Sequence, residues 1–503
     1  MYPVAIAKEI SFPDFLDSFK RALKSVFYER DQLEKFIQKR GFPALVLREI
    51  MAVNPLSVAI PEKYGGRGAK VKECLGMMDA AAYESLPLSL TFGINMALFL
   101  QPVAKYANEL VKGDIFERFL KKQNMGGLMI TEPDYGSDAL NMQTSNEKIG
   151  SKYHIRGTKH WQGLTGLADY WLMASRPKNV KGELGRDIDF FICDVQQPGQ
   201  QIQVEEYYNN IGLYPIPYGR NNIDIMVPEE FKLVPGSTGL KLMMDLLHRS
   251  RMQFPGMGMG FIRRMLDEAL RHTNSRVVAG KPLMSLDQVQ HYIARIQNAF
   301  TVSSAMCSRS AESSGIENDL APATVEAASM KAFITDLMQE SAQILTQLSG
   351  ANGYREEHVA ARGIIDSRPF MIFEGSNEML YTQIADAALK QMARRKNTNL
   401  SVFLKNYELT EKAAGYFDRA LGFSVDLKMS QRKMVDLGKI ISRAVAAAHV
   451  VMLADKGFRN DLVNNSIETI KQDILMLVSS FRYRNQVVPV EEYHEQSSWM
   501  AFS

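Results

Sequence analysis

The feature that most constrains this chain is a change of period partway along it. Residues 14 to about 125 carry apolar side chains at helical spacing, as in Phe15, Phe19, Leu23, Val26, Phe27 and Leu33. From about 126 to 235 the pattern becomes short apolar runs, Tyr170 to Ala174, Asp189 to Val195 and Ile223 to Val227, set apart by Gly, Pro, Asn and Asp. After Gly239 helical spacing returns over Phe261 to Arg276, Leu286 to Arg309 and Ala327 to Leu348. Apolar residues three and four apart load one face of a helix, whereas short runs between turn formers suit strands. An α+β fold is therefore expected, with an N-terminal helical domain over 1–125 and a β-sandwich or barrel-like middle domain over 126–238. A C-terminal helical bundle of four-helix type follows over 239–396, then a helical extension over 397–503. A length of 503 residues is also too great for a single core.

The extension carries two amphipathic stripes. One is Leu437, Ile440, Ile441, Val445, Ala448, Val451 and Met452, and the other is Ile467, Ile470, Ile474, Leu477, Val478 and Phe481. Such stripes pack against a neighbouring helix far more often than against a membrane surface. The longest apolar stretch, Ala444 to Ala454, is interrupted by His449 and falls short of the roughly 20 residues that span a bilayer. No transmembrane segment is expected, and MYPVAIAKEISFPDF lacks the pattern of a secretory leader.

Composition narrows the partners. The 59 basic and 56 acidic side chains leave a net charge of +3, too small a field to hold a polyanion nonspecifically, so no nucleic acid is expected. Cys74, Cys193 and Cys307 are scattered and odd in number, against both a disulfide framework and a zinc knuckle. The eight histidines form no HExxH-like set, and no metal is expected. A cytoplasmic protein is the default. Gly256-Met257-Gly258-Met259-Gly260 hints at a dinucleotide loop, yet it follows Pro255 instead of an apolar strand and lacks the full GxGxxG spacing.

Four separated segments carry chemistry. In Met129-Ile130-Thr131-Glu132-Pro133-Asp134-Tyr135-Gly136-Ser137-Asp138, two hydroxyls flank a glycine whose bare backbone suits close approach to a ligand, although a capped turn has the same composition. In Gly157-Thr158-Lys159-His160-Trp161-Gln162-Gly163, Trp161 is either core or a flat cover for a ring system. Farther on stand Gln347-Leu348-Ser349-Gly350-Ala351-Asn352-Gly353-Tyr354, with Glu357, Arg362 and Asp366 behind it, and then Phe373-Glu374-Gly375-Ser376. Taken in order, these segments resemble the signatures of the acyl-CoA dehydrogenase family, and Ile60 to Gly66 is similar to an N-terminal family motif. The resemblance covers residues 10 to 395 and leaves out the last hundred.

The resemblance implies FAD as cofactor, an acyl-CoA as substrate, and Glu374 as the base that takes the α proton while flavin N5 takes the β hydride. Carried over residue by residue, it implies a flavin site of Leu128, Ile130, Thr131, Gly136, Ser137, Trp161, Gly163, Gln347, Ser376 and Glu378, with Arg276 from a neighbouring subunit. It implies that Ser137, Arg251 and Gly375 face the substrate. An electron-transferring flavoprotein is the implied acceptor, and a homo-oligomer, dimer or tetramer, the implied assembly. Some relatives carry the base just before the arginine matched by Arg251, where this chain has Ser250. Gly163 stands for a hydroxyl residue, Glu378 for a common Gln, Ala279 for an aromatic and Ala351 for a Gly or Ser. The alternatives are an acyl-CoA oxidase and a noncatalytic, DNA-binding flavoprotein of the same fold.

Overall fold

A computed structural model describes residues 10–28, 41–42, 44–483, 487–494 and 496–503. Leu33, the last position of the first stripe, and the first nine residues, where no leader pattern is found, lie outside them. The N-terminal helices are α1 (Phe12–Tyr28), α2 (Ala44–Met51), α3 (Val71–Glu84), α4 (Leu86–Asn95), α5 (Gln101–Tyr106) and α6 (Glu109–Lys122). The spacing of α1 does what it predicts, since Phe15, Phe19, Leu23 and Val26 form its buried face. A π turn over Met96–Leu100 joins α4 to α5.

Seven strands follow: β1 (Gly126–Met129), β2 (Ser145–Ile149), β3 (Lys152–His160), β4 (Tyr170–Pro177), β5 (Asp189–Asp194), β6 (Gln203–Tyr207) and β7 (Gly219–Pro228). They form one sheet in the order β1-β4-β2-β3-β7-β6, with β5 paired to β4. Parallel pairing of β1 with β4 sets Gly126 opposite Tyr170. In β7, Ile223, Ile225 and Val227 point inward while Arg220, Asn222 and Asp224 point to solvent, the alternation of a half-buried strand.

The bundle consists of α7 (Gly239–Arg251), α8 (Phe254–Ser275), a hairpin of β8 (Val277–Val278) and β9 (Lys281–Pro282), α9 (Asp287–Ser313), α10 (Thr324–Ser349), α11 (Val359–Ser367) and α12 (Asn377–Arg394). The glycine repeat proves to be a packing device inside α8. A Cβ at Gly260 would lie 1.9 Å from the Asp79 carbonyl oxygen of α3, and one at Gly258 would lie 2.5 Å from Ile334 of α10. Bare glycines let these helices touch.

The extension adds α13 (Leu400–Lys405), α14 (Glu411–Ala414), α15 (Asp418–Leu421), α16 (Gln431–Asp455) and α17 (Asn460–Arg482). Its two stripes lie on the bundle: Leu437, Ile440, Ile441 and Val445 are wholly buried, as are Ile470 and Ile474. Arg295 of α9 pairs with Asp473 of α17 at 2.9 Å, and His449 of α16 lies 3.4 Å from Glu326 of α10. Two helical runs, Leu86–Tyr106 and Gln431–Asp455, are long and apolar enough to cross a membrane, contrary to the expectation from unbroken apolar stretches. All of the first run's apolar window and two-thirds of the second's are buried inside the protein, where core helices share that composition.

Candidate active site

Glu374 lies on a short loop between the turn Arg368–Met371 and the start of α12. Its backbone is left-handed, φ +52°, and Gly375 follows at φ +93°. Glutamate in that region costs roughly 1–3 kcal/mol and persists only where its surroundings enforce it. They do so from three sides. The Arg251 Nε donates to the Glu374 carbonyl oxygen at 3.1 Å, and Lys331 Nζ donates to the Gly375 carbonyl at 2.8 Å. Ser376 caps α12, its hydroxyl accepting from the Met379 N–H at 3.4 Å.

The carboxylate is held in turn. Ser250 Oγ donates to Glu374 Oε1 at 3.0 Å, while Oε2 is shut off from solvent and has no protein partner. Phe254, Phe370 and Phe373 pack together beneath the loop, with ring centres 4.9 to 6.1 Å apart. Burial raises the Glu374 pKa to about 7, against the lowering pull of Arg251, the Ser250 hydrogen bond and Lys331. Burial likewise lowers Lys331 to about 7. A carboxyl poised near neutrality, with one oxygen free, can take a proton from a group placed against it.

The middle sheet presents a second surface. After β3 the chain turns at Trp161, φ +61°, whose N–H donates to the Gly219 carbonyl at 3.0 Å. Thr131 is tied to this turn, because its carbonyl accepts from the His160 N–H at 3.0 Å and from Gln162 Nε2 at 3.1 Å. Trp161 is 51% exposed, so it is not core; Trp171 of β4 fills that role. The Trp161 ring rests on Tyr208 at 4.5 Å. Gly136 has open space around it, with only Thr131 Cγ2 at 4.0 Å. Behind this surface Glu132 Oε1 accepts from Lys159 Nζ at 3.0 Å, a buried pair that secures the segment.

Gly163 is explained by packing. A Cβ there would lie 2.9 Å from Ile94 Cδ1, so a larger side chain requires the Ile94 tip to shift. Leu128 and Ile130 are partly buried at the end of β1 and just beyond it, and Ser137 and Glu378 are exposed. Arg276 and Gln347 stand apart from the Glu374 group. Arg276 follows the last turn of α8, whose 22 residues extend about 33 Å from Phe254, and Gln347 lies 16 residues, about 24 Å, along α10 from Lys331. The last turns of the two helices border a cleft of about 190 Å³ lined by Arg271, His272, Ser275, Leu345 and Ser349 among others.

Three family models match in the order of the fold: the acyl-CoA dehydrogenase N-terminal domain over residues 15–123, the middle domain over 127–224 and the C-terminal domain over 237–389. The chain belongs to the acyl-CoA dehydrogenase family. It is similar to an acyl-CoA dehydrogenase of Bacillus subtilis (strain 168), 23% identical over 343 residues, 67% of this chain and 88% of that one. Its fold resembles the butyryl-CoA dehydrogenase of Megasphaera elsdenii at a TM-score of 0.65 and 22% identity, covering 75% of this chain and 98% of that one. A Bacillus anthracis acyl-CoA dehydrogenase solved with FAD gives a TM-score of 0.76 at 18% identity, covering 94% of this chain and 88% of that one. That coverage is too large to omit residues 397–503, so the extension recurs in that fold.

As an acyl-CoA dehydrogenase, the chain is a flavin-dependent oxidoreductase with FAD as its cofactor. The surface around Trp161 fits a flavin: a half-exposed ring, open backbone at Gly136 and the exposed hydroxyl of Ser137 lie on one connected stretch. Sequence reasoning missed Lys331 and Asn377, and saw Ser250 only as the place where a base is absent. A lysine within the run Ala327 to Ile334, apolar elsewhere except at Ser329, was the available signal, since a charge on such a face must find a buried partner. His248 of α7 is buried, with Nδ1 2.7 Å from the Leu320 carbonyl oxygen.

Proposed function

We propose that this protein removes two hydrogens from the α and β carbons of an acyl-CoA, giving the trans-2-enoyl-CoA, with Glu374 as the base. The observation that carries this reading is the Glu374 carboxyl: desolvated, raised to about 7, and left with one oxygen unpartnered. Bound flavin supplies the hydride acceptor that no side chain can provide. The chain's own residues do the rest. The Glu374 N–H makes no hydrogen bond among the described residues, which leaves it free to polarise the thioester carbonyl as the α proton leaves. Arg251 keeps the loop's backbone in place, and the three phenylalanines exclude water. Ser250 stabilises the charged carboxylate without being able to replace it.

For the flavin we propose Leu128, Ile130, Thr131, Gly136, Ser137, Trp161, Gly163, Ser376 and Glu378 from one chain. Because Arg276 and Gln347 lie a helix length from Glu374, we assign them to the flavin of a second copy, which makes the active unit a homo-oligomer, dimer or tetramer. Ser137, Arg251 and Gly375 are assigned to the substrate side. We further propose medium or long acyl chains, an electron-transferring flavoprotein as acceptor, and a place in fatty-acid β-oxidation. Three unpaired cysteines suit a reducing, cytoplasmic setting.

The test is anaerobic titration of the FAD-loaded protein with acyl-CoAs of graded length. Wild type should bleach with one chain class, and Glu374→Gln should bleach at least about 10²-fold more slowly with its flavin retained. Equal bleaching by the variant would remove Glu374 from the mechanism.

A further inference from the structure

The polar groups beneath the Glu374 loop form a connected set that reaches the extension, and no step of the proposed reaction uses it. Lys331 Nζ, besides holding the Gly375 carbonyl, donates to Asn377 Oδ1 at 3.0 Å. The Asn377 amide nitrogen donates to Asp336 Oδ1 at 2.7 Å, Thr335 Oγ1 at 3.0 Å and the Ala332 carbonyl at 3.0 Å. One turn along α12, Tyr381 donates its hydroxyl to Asp336 Oδ2 at 2.6 Å. Asp336 therefore ties α10 to α12 at two points directly under the loop.

The extension arrives at that place. A Cβ on Gly438 would lie 2.0 Å from the Tyr381 carbonyl oxygen, so α16 meets α12 backbone to backbone. Five residues along α16, Arg443 stacks its guanidinium on Phe333 of α10 at 4.4 Å, and its charge acts on the Tyr381 phenol. Arg443 is itself steadied by the Lys439 carbonyl at 3.3 Å and by Asp473 of α17 at 3.9 Å.

We propose that α16 is a positioning element of the active site: through Gly438 and Arg443 it clamps α10 and α12 where Asp336, Tyr381 and Asn377 join them, and so holds Lys331 under the Gly375 carbonyl and Glu374 in its left-handed backbone conformation. A strained loop keeps its shape only when its surroundings over-determine it, and this network is the only buried polar tie of α10 to the loop among the described residues. The inference rests on Glu374 being the base. Arg443 acts through Phe333 and Tyr381, so its effect is on the loop's geometry.

The test uses full-length, FAD-loaded protein. In Arg443→Met the limiting rate of flavin bleaching by butyryl-, octanoyl- or palmitoyl-CoA should fall about 10-fold or more, with acyl-CoA affinity and flavin content within about 2-fold of wild type. Arg443→Lys should recover most of that rate. Hydrogen exchange over residues 373–378 should quicken in the Met variant alone. A wild-type rate and unchanged exchange in Arg443→Met overturn the proposal, as does a parallel loss of rate, affinity and flavin. Should that variant fail to fold, Tyr381→Phe, which deletes one hydroxyl, should show the same slowed bleaching and quickened exchange, and a wild-type rate with unchanged exchange in it overturns the proposal equally. If none of the three acyl-CoAs bleaches wild type, the reading of Glu374 fails, and exchange over 373–378 alone decides the clamp.

Discussion

Burial of the Glu374 carboxyl carries a cost to folding that can be measured. Its folded pKa of about 7 lies above the ordinary 4.5, so between those values the folded state binds more protons than the unfolded. The stability this contributes is present below about pH 4.5, is lost as pH rises through about 7, and does not return above it. The rise from 4.5 to about 7 corresponds to roughly 3 kcal/mol. Glu374→Gln should therefore be the more stable protein by up to that amount near pH 8, the gap closing near pH 4.5. Denaturant melts at both pH values check this, and identical midpoints would show a solvated carboxyl. Ser250→Ala removes a hydrogen bond that favours the charged form, so the rising limb of the rate–pH profile should move to higher pH. An unmoved limb would mean that Ser250 does not touch the working carboxylate. The Glu374 loop could be read from the sequence because Phe373-Glu374-Gly375-Ser376 is contiguous. Ser250 and Lys331 act across 124 and 44 residues of chain, a proximity that only the closed fold creates.

At the scale of elements, neighbouring helices and turns decide what Gly163 and Ala279 can be. At Gly163 the nearest neighbour of an added Cβ is the Cδ1 of Ile94, at the end of α4. Gly163→Thr should cost about 1–3 kcal/mol by overpacking, and Ile94→Val, which removes that one atom, should relieve much of it. A double-mutant cycle in thermal melts reads the coupling, and additive losses would refute the steric account. In the β8–β9 hairpin, Val278 pairs with Lys281, leaving Ala279 at φ +50° and Gly280 at φ +79° as a two-residue turn. Such turns prefer residues at ease with positive φ, and alanine is not one. Ala279→Gly should stabilise the hairpin that follows Arg276 by a few tenths of a kcal/mol to about 1 kcal/mol, seen as slower exchange at Leu283, whose N–H donates to the Arg276 carbonyl at 2.7 Å. Both residues could be read from the sequence. Their neighbours in the fold could not, since Ile94 lies 69 residues before Gly163. The same holds for the glycine repeat of α8, whose partners Asp79 and Ile334 are supplied by two other helices.

For the whole molecule, the extension cannot be a detachable appendage. Leu437, Ile440, Ile441, Val445 and Val450 of α16 are completely buried, and at about 1.5–3 kcal/mol each their removal from water contributes roughly 8–15 kcal/mol. That is as large as the net stability of a typical domain, about 5–15 kcal/mol. The stripes could be read from their spacing, but which helices they cover could not, because an amphipathic face specifies only that it needs a partner. Deleting residues 397–503 strips α16 from α12 and leaves apolar surface of α9, α10 and α12 facing water. The truncated chain is therefore expected to aggregate or to melt more than about 10 °C below the full protein, read by sedimentation and a thermal melt. A soluble truncated protein with an unchanged melt would show that the bundle holds itself together. In the full chain, the bundle face beneath α16 and α17 is occupied by its own extension, so that face is closed to any second copy. The last turns of α8 and α10, which border a cleft lined by Arg271, His272, Leu345 and Ser349, are left uncovered by the extension.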